Sequence, residues 1–274
     1  MPRQVTAGQA SASANLDRDL DFCLNPCVRI LYRDDLALAV DKPAGLLTVP
    51  GRGGAKEEEA LSGRVRAIAP GAMPVHRLDR DTSGIVLFAL TREAHRALNQ
   101  AFEAHRVEKT YLALVRGDLA SPARCDLPLA DARRGGTRIA GPADKRAQPA
   151  RTDFAPAERF GGQTLCSCRP WTGRTHQIRV HLAALGHPLL VDPRYGDGRP
   201  VLRGELYAAA ADPGTVALSR IPLHASALRI PHPSGRSWLQ IEAPLPDDLS
   251  ACLELLRAGR RLSPSRAPAS SRPP

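Results

Sequence analysis

Residues 76–90 read HRLDRDTSGIVLFAL and carry more structural and chemical information than any other part of the chain. The second half, residues 85–90, is a short apolar run of the kind that forms a buried β-strand. The first half places Asp79 between two arginines on a turn. Gly84, at the end of this turn, can adopt backbone conformations that other residues disfavour. A carboxylate at such a strand entry either stays ionised to do chemistry on a polyanion or forms a structural ion pair. Both hypotheses are open at this point.

The alternation of apolar and polar residues, together with turn-forming residues, predicts further strands and helices on either side of this strand. The predicted strands are 36–41, 46–49, 110–115, 151–157 and 163–169, with a hairpin formed by 224–230 and 237–241. One helix is expected over 61–68, a second after the N-cap residue Thr91, and a third from the N-cap Thr175 to the stop at Gly186. The stretches 130–150 and 196–219 are expected to be exposed loops. Strands outnumber helices and often follow one another, which predicts an α+β fold with a mixed, largely antiparallel central sheet flanked by helices.

The length and apolar content predict one main folded unit. A chain of 274 residues with 43% apolar residues can bury one sizeable core. Residues 1–27 lack periodicity and are expected to form a flexible lead, and residues 263–274 are too rich in Pro and Ser to bury enough apolar surface. We therefore expect a catalytic domain over 28–262 between a flexible lead and a disordered tail.

The charge balance indicates a polyanionic partner. The net charge is +10, and only four of the 38 basic residues are lysines. A basic excess of this size favours nucleic acid, and the planar guanidinium suits phosphate and base recognition. A GC-rich genome would explain the preference for arginine over lysine, but it does not explain the net charge.

The cysteines and the apolar pattern argue against a metal site and a membrane segment. None of the six cysteines stands in a paired spacing typical of zinc. The N-terminus lacks the apolar core of a signal peptide, and no stretch approaches the ~18 apolar residues that a membrane span needs. We expect a soluble, cytoplasmic protein without a metal.

Two further motifs have chemical potential. Residues 109–111 read KTY, and Tyr111 at a strand entry offers a ring face and a hydroxyl, although most such tyrosines are edges of the core. Residues 173–181 read GRTHQIRVH, and on a helix Thr175 and Arg179 share a face. We interpret this as an electropositive ledge; the alternative is an ordinary solvated helix face. Asp81 lies on the same side of the turn as Asp79, and spacing alone does not separate their roles.

In this order, the three motifs make the chain resemble the RluA family of pseudouridine synthases. DKPAGL at 41–46, ALGHPL at 184–189 and LHA at 223–225 extend the resemblance over residues 29–247. It implies an RNA uridine isomerase that breaks the N1–C1′ bond, turns the base and rejoins it through C5. The reaction needs no redox change, so no cofactor is expected.

The resemblance also implies residue roles. Asp79 matches the catalytic aspartate, Tyr111 the active-site tyrosine and Arg179 the arginine that pairs with the aspartate. Arg77 matches an arginine that fills the gap left by the extruded base, and Arg174 is expected to contact RNA. Whether the aspartate forms a sugar ester or supports an elimination route is open, and His76 and Asp81 are expected to support the turn.

The expected partner is ribosomal RNA, transfer RNA or both, bound by a monomer. Family members often carry an extra RNA-binding domain, and the lead is too short for one, so the catalytic domain itself should grip RNA. The loop 133–138 is a candidate for that contact. Two rivals are an inactive RNA-binding module and a glycosylase, which would need a second carboxylate such as Asp81.

Overall fold

The computed structural model describes residues 28–51, 56–132 and 136–262. The predicted lead, 1–27, and tail, 263–274, lie outside these residues. The strands are β1 (Arg29–Arg33), β2 (Ala37–Lys42), β3 (Met73–Pro74), β4 (Ser83–Ala89), β5 (Glu108–Arg116), β6 (Ala123–Cys125), β7 (Leu129–Asp131), β8 (Thr137–Ile139), β9 (Thr152–Arg159), β10 (Gln163–Pro170), β11 (Val201–Leu202), β12 (Val216–Leu218), β13 (Leu223–Pro231) and β14 (Trp238–Glu242). The helices are α1 (Leu61–Ile68), α2 (Arg92–Glu103), α3 (Gln177–Ala184), α4 (Arg203–Leu206) and α5 (Asp247–Leu262), with a short 3₁₀ turn at Glu57–Glu59.

The described residues contain a ten-stranded sheet of mixed direction. Its main path is β1-β2-β4-β13-β5-β10-β9-β6, with β3 beside β4 and β14 beside β13. Strands β4 and β13 pair in parallel, and the other neighbours in this sheet are antiparallel. The predicted α+β fold with a mixed, largely antiparallel sheet is confirmed.

Strand β4 is buried at every position because helices cover both of its faces. Val86 and Phe88 pack in a cluster that includes residues of α1, whereas Ile85 and Leu87 pack with residues of α2. This explains why the run from 85 to 90 is continuously apolar and does not alternate.

Strand β5 divides its side chains in the same way in the other half of the sheet. Ala113 and Val115 pack with α3, and Leu114 packs with α5. Tyr111 contacts both the cluster that contains α1 and the one that contains α3. It therefore lies on the sheet where these two clusters meet.

Most of the predicted elements are confirmed. Strands occur at the predicted places around 36–41, 85–90, 110–115, 151–157 and 163–169, and the hairpin 224–241 is present. Helices α1 and α2 are present, and Thr91 caps α2 by accepting a hydrogen bond from the Ala94 amide at 3.1 Å. Gly186 ends α3 with a positive φ of 82°.

Four local predictions were wrong. Residues 46–49 form no strand, because the Leu46 carbonyl accepts from the Lys42 side chain and the next two carbonyls accept from amides at the start of α1. Residues 130–150 are not simply an exposed loop, since β7 pairs with β8 and Leu129 packs against Val180 of α3. Residues 196–219 contain β11, α4 and β12. Helix α3 begins at Gln177, not after a Thr175 cap, because His176 adopts a left-handed conformation with φ 54°.

Helix α5 is an element that the sequence analysis missed. Its inner face consists of Leu249, Cys252, Leu253 and Leu256, all buried, at helical spacing. Asp247 and Asp248 stand in its first turn, where carboxylates favour a helix start. The periodicity was therefore present in the sequence as a usable signal.

The described residues show no helix long and apolar enough to cross a bilayer. Within the same ranges, the four cysteines are buried thiols, and no cluster of three or more potential metal ligands occurs. Cys23 and Cys27 lie outside these ranges.

Replacing Gly84 with alanine should destabilise the fold at the parallel junction. Gly84 has φ 110° and pairs with Ala225, and a Cβ at this position would lie 2.3 Å from the Ala225 carbonyl oxygen. Since neither backbone can retreat without loss of the β4–β13 pairing, we expect a loss of ~2–3 kcal/mol in the free energy of unfolding. Urea unfolding measures it. The matched control is Gly214→Ala, where an added Cβ meets no atom within 4 Å. Equal midpoint shifts in the two variants would contradict the close-approach argument.

Candidate active site

A pocket of about 100 Å³ opens between the turn that precedes β4, strand β5 and the start of α3. The five residues predicted for the site all line it: Arg77, Asp79, Tyr111, Arg174 and Arg179. Further lining residues include Thr82, Lys109, Thr172, His176 and Gln177. The fold thus brings together three motifs that lie far apart in the chain.

Hydrogen bonds from the segment 42–48 fix the turn that carries Asp79. The buried Lys42 ammonium donates to the carbonyl oxygens of Pro43, Leu46 and Arg80 at 2.9, 2.8 and 2.9 Å. The Thr48 hydroxyl donates to the Leu78 carbonyl at 2.9 Å and accepts from the Leu78 amide at 3.1 Å. These bonds position the turn on both sides of Asp79.

Burial lowers the pKa of Lys42 to about 7, and the nearby charges of Asp81 and Asp79 oppose this shift. Asp81 does not line the pocket, so the structure separates the two aspartates that spacing alone did not. His76 accepts a hydrogen bond from the Leu87 amide at 3.1 Å, and burial lowers its pKa to about 3. A neutral His76 thus links the turn to strand β4.

Two basic side chains face the Asp79 carboxylate. The Arg179 Nη1 lies 3.7 Å from Asp79 Oδ2, and the His176 Nε2 lies 3.8 Å from the same oxygen. Both separations exceed a hydrogen-bond distance, so neither side chain clamps the carboxylate. Burial lowers the pKa of His176, so the positive charge beside Asp79 comes from Arg179. The carboxylate is about one quarter exposed and can reach a ligand in the pocket.

The main partner of Arg179 is Asp192, which the sequence analysis missed. The Arg179 Nε and Nη2 donate to the two Asp192 oxygens at 2.7 and 2.9 Å, and both side chains are buried. Asp192 also accepts from the amides of Arg194 and Tyr195 at 2.9 and 3.1 Å. Burial disfavours its charged form, but the Arg179 bonds and these amides hold the pKa of Asp192 below its usual value.

This bidentate pair fixes the plane of the guanidinium and leaves Nη1 directed at Asp79. The Tyr195 ring lies against the guanidinium, with its centroid 5.1 Å from Cζ. Val191, next to Asp192, has φ 58°, which is strained for a β-branched residue. Strain of this kind persists only where the surroundings enforce it, here beside the ion pair.

The loop before α3 is held by Gln177. Its side-chain oxygen accepts from the Thr172 hydroxyl at 2.7 Å and the Arg174 amide at 3.0 Å. Its amide nitrogen donates to the Arg151 carbonyl and the Thr152 hydroxyl at 2.9 and 3.0 Å. Arg174 remains exposed at the pocket.

Of the two interpretations of the 173–181 segment, the solvated helix face was wrong, whereas Arg174 and Arg179 give the pocket the positive charge that the electropositive ledge implied. Gln177, Arg179 and His181 are all buried. His181 lies between the Thr152 hydroxyl and the Leu127 carbonyl, at 2.9 and 3.0 Å. These polar side chains can point into the core because each forms a hydrogen bond or ion pair there.

Tyr111 lies beside the carboxylate as a neutral phenol. Burial and the charge of Asp79 raise its pKa well above the usual value. Among the described residues, no side chain or backbone group forms a hydrogen bond with its hydroxyl. The pocket therefore combines one anion, a fixed guanidinium and an aromatic ring, with Asp79 as the one carboxylate among the described lining residues.

The comparisons with known proteins agree with this geometry. A profile of the RNA pseudouridylate synthase family matches residues 36–184. The ribosomal large subunit pseudouridine synthase C of Escherichia coli O157:H7 is 40% identical over 236 residues, covering 84% of this chain and 70% of that protein. The synthase D of Nitrosomonas europaea is 40% identical over 238 residues, covering 84% of this chain and 65% of that protein. The solved structure of human RNA pseudouridylate synthase domain containing 1 superposes with a TM-score of 0.64 at 28% identity, covering 88% of this chain and 97% of the human one.

Proposed function

The chain belongs to the RluA family of RNA pseudouridine synthases, and on this premise we propose that it modifies ribosomal RNA with Asp79 as the catalytic group. The family is one of isomerases that convert uridine to pseudouridine in RNA. The ribosomal substrate is proposed from the two bacterial relatives, which are named for the large ribosomal subunit. The observation that supports the catalytic assignment best is the Asp79 carboxylate in an open pocket beside a guanidinium that Asp192 holds in place.

The proposed chemistry begins at C1′ of the target nucleotide. The ionised Asp79 attacks C1′ or stabilises its cationic character as the N1–C1′ bond breaks, and the detached uracil turns so that C5 faces C1′. A C5–C1′ bond then forms while any Asp79–C1′ ester bond breaks. The C5 proton is lost and N1 gains a proton, so the product is an isomer of the substrate. The elimination route also starts from the anion of Asp79, so the carboxylate is required on either path.

The arginines of the pocket are proposed to act in two ways. Arg179 places a fixed positive charge beside the Asp79 oxygens, 3.7 Å away, and does not react itself. A uridine must leave its stack to enter the pocket, at a cost of a few kcal/mol. The exposed Arg77 is proposed to fill the space that the base vacates, and Arg174 to bind the neighbouring backbone.

A hydrolytic glycosylase is the less favoured alternative. It would need a positioned water and normally a second carboxylate, and among the described lining residues Asp79 is the only acid. Of the predicted RNA-gripping loop 133–138, residues 133–135 lie outside the described ranges. Arg138, within this loop, forms an ion pair with Asp144, so its guanidinium is less available to bind phosphate.

Tyr111→Phe should lower kcat and leave KM and stability close to those of the wild type. The ring is retained for stacking on uracil, and no described hydrogen bond is lost. As a neutral phenol, Tyr111 can assist the departure of the C5 proton by taking it up while passing its own proton to water. Loss of such assistance costs about 10²-fold or more in rate. Tritium release from RNA labelled at uridine C5 measures the rate, and wild-type turnover by Tyr111→Phe would limit Tyr111 to stacking.

Mapping of pseudouridines in RNA from cells with and without this gene tests the proposed substrate. We expect at least one site in large-subunit ribosomal RNA to lose its pseudouridine and to regain it when the purified protein is added to RNA from the deletion strain. Loss confined to transfer RNA would replace the ribosomal proposal with the other predicted substrate.

We also propose that the enzyme acts as a monomer in the cytoplasm, where ribosomal RNA is accessible. Light scattering on the purified protein, with and without RNA, tests the oligomeric state. A mass twice that of the chain would contradict it.

A further inference from the structure

A second groove lies next to the active-site pocket and has the composition of a base-stacking site. Its volume is about 370 Å³, and it contains Trp171 and Trp238, the two tryptophans of the chain. Both are about half exposed, at 53% and 48%. Two large aromatic side chains exposed in one groove of a protein with few aromatic residues indicate a binding surface.

Both indole rings are contacted by neighbouring side chains that hold them in place. The Arg151 guanidinium lies 4.5 Å from the Trp171 ring centroid, and the Trp171 Nε1 donates to Asp153 at 2.7 Å. The Arg229 guanidinium lies 4.2 Å from the Trp238 centroid. Because each ring is braced and still half exposed, a base can stack on it at little cost in side-chain entropy.

The groove is also positively charged. Arg106 and Arg169 line it, and neither has an acidic partner among the described residues. Its two acids are already compensated: Glu108 pairs with Arg229 at 2.6 Å, and Asp153 accepts from Arg124 at 2.8 Å. Free guanidiniums beside exposed indoles suit a phosphate–base chain.

The groove adjoins the catalytic pocket. Lys109 and Pro170 line both cavities, and Lys109 donates to the Thr172 carbonyl at 3.4 Å on the pocket side. A strand whose uridine enters the pocket would therefore pass directly into this groove.

We infer that this groove binds an unpaired nucleotide of the substrate RNA next to the target uridine, by stacking its base on Trp171 and Trp238. The inference rests on the proposed function, because the strand is the one that presents the uridine to Asp79. Arg106 and Arg169 contact the flanking phosphates.

Tryptophan fluorescence reports on this groove directly, since both tryptophans of the chain lie in it. We expect a single-stranded decauridylate RNA to quench the emission of the intact protein. Trp171→Ala and Trp238→Ala should each weaken its binding by about fivefold or more, the lower range for loss of one base–aromatic stack. Trp171→Phe should retain most of the affinity because it keeps an aromatic face. The control is Val216→Ala, a similarly exposed apolar residue of β12 outside the groove.

With large-subunit ribosomal RNA as substrate, the two alanine variants should raise KM more than they lower kcat, at an unchanged thermal midpoint. The groove inference is overturned if the wild-type protein modifies RNA normally but decauridylate does not quench its emission and neither alanine variant changes KM. That result leaves the proposed function intact. Quenching by decauridylate without modification of any ribosomal RNA supports the groove and overturns the proposed function. Emission that responds to ribosomal proteins but not to RNA overturns the inference in favour of a protein partner.

Discussion

Asp79→Asn should abolish pseudouridine formation while RNA affinity stays close to that of the wild type. The amide has the shape of the carboxylate but cannot attack C1′ or stabilise positive charge there. Removal of a nucleophile costs roughly 10⁴-fold or more in other enzymes. Single-turnover tritium release from C5-labelled RNA measures the loss, and a filter-binding titration measures the affinity.

The matched control is Asp81→Asn. Asp81 stands in the same turn, carries the same charge and does not line the pocket. We expect this variant to retain most of the activity. If the two asparagine variants turned over at similar rates, Asp79 would lose its catalytic role.

Asp192→Asn should reduce both stability and kcat. The substitution leaves the buried Arg179 guanidinium without its bidentate carboxylate, and Asp79 at 3.7 Å becomes its nearest anion. Breaking a buried pair by removing one partner costs about 3–5 kcal/mol, because the remaining charge stays in a poorly solvated site. The rate should fall as well, since Arg179 loses the bonds that set its orientation toward Asp79. Urea unfolding and single-turnover rates, taken where the variant is still folded, measure the two effects.

Glu205→Gln provides the comparison for this pair. Arg199 and Glu205 also form a bidentate pair, with Arg199 Nη2 2.7 Å from Glu205 Oε2, but both side chains are substantially exposed. An exposed pair contributes about 1 kcal/mol or less. Similar losses of unfolding free energy in the two variants would mean that burial does not make the Arg179–Asp192 pair more stabilising than an exposed pair. A stable Asp192→Asn protein with wild-type kcat would remove Asp192 from the positioning of Arg179.

Local signals account for the parts of the fold that the sequence predicted correctly. The continuous apolar run in β4 and the Thr91 cap of α2 depend on neighbours within a few residues. Helix α5 carried an equally local signal that the sequence analysis overlooked. The pair β7–β8 had a weak signal, because its few buried residues pack against α3 and do not form a periodic face of their own.

The site divides in the same way. The motif residues Asp79, Tyr111 and Arg179 were predicted through resemblance, and the structure brings them to one pocket. Their supports, such as Asp192 and Lys42, were not predicted. Asp192 stands 13 positions after Arg179, in a segment without periodicity, and its importance depends on burial and on the direction of a guanidinium.

The amino-acid order alone determined the sheet-rich fold class, the central buried strand, the basic character and the family to which the catalytic motifs belong. These properties depend on composition and on short-range spacing, which a linear chain displays directly. The tertiary structure decided which acid faces the pocket, which acid holds Arg179, and that two distant tryptophans share a groove. Such pairings depend on distances in space and on exclusion of water, and both arise only when segments far apart in the chain pack together.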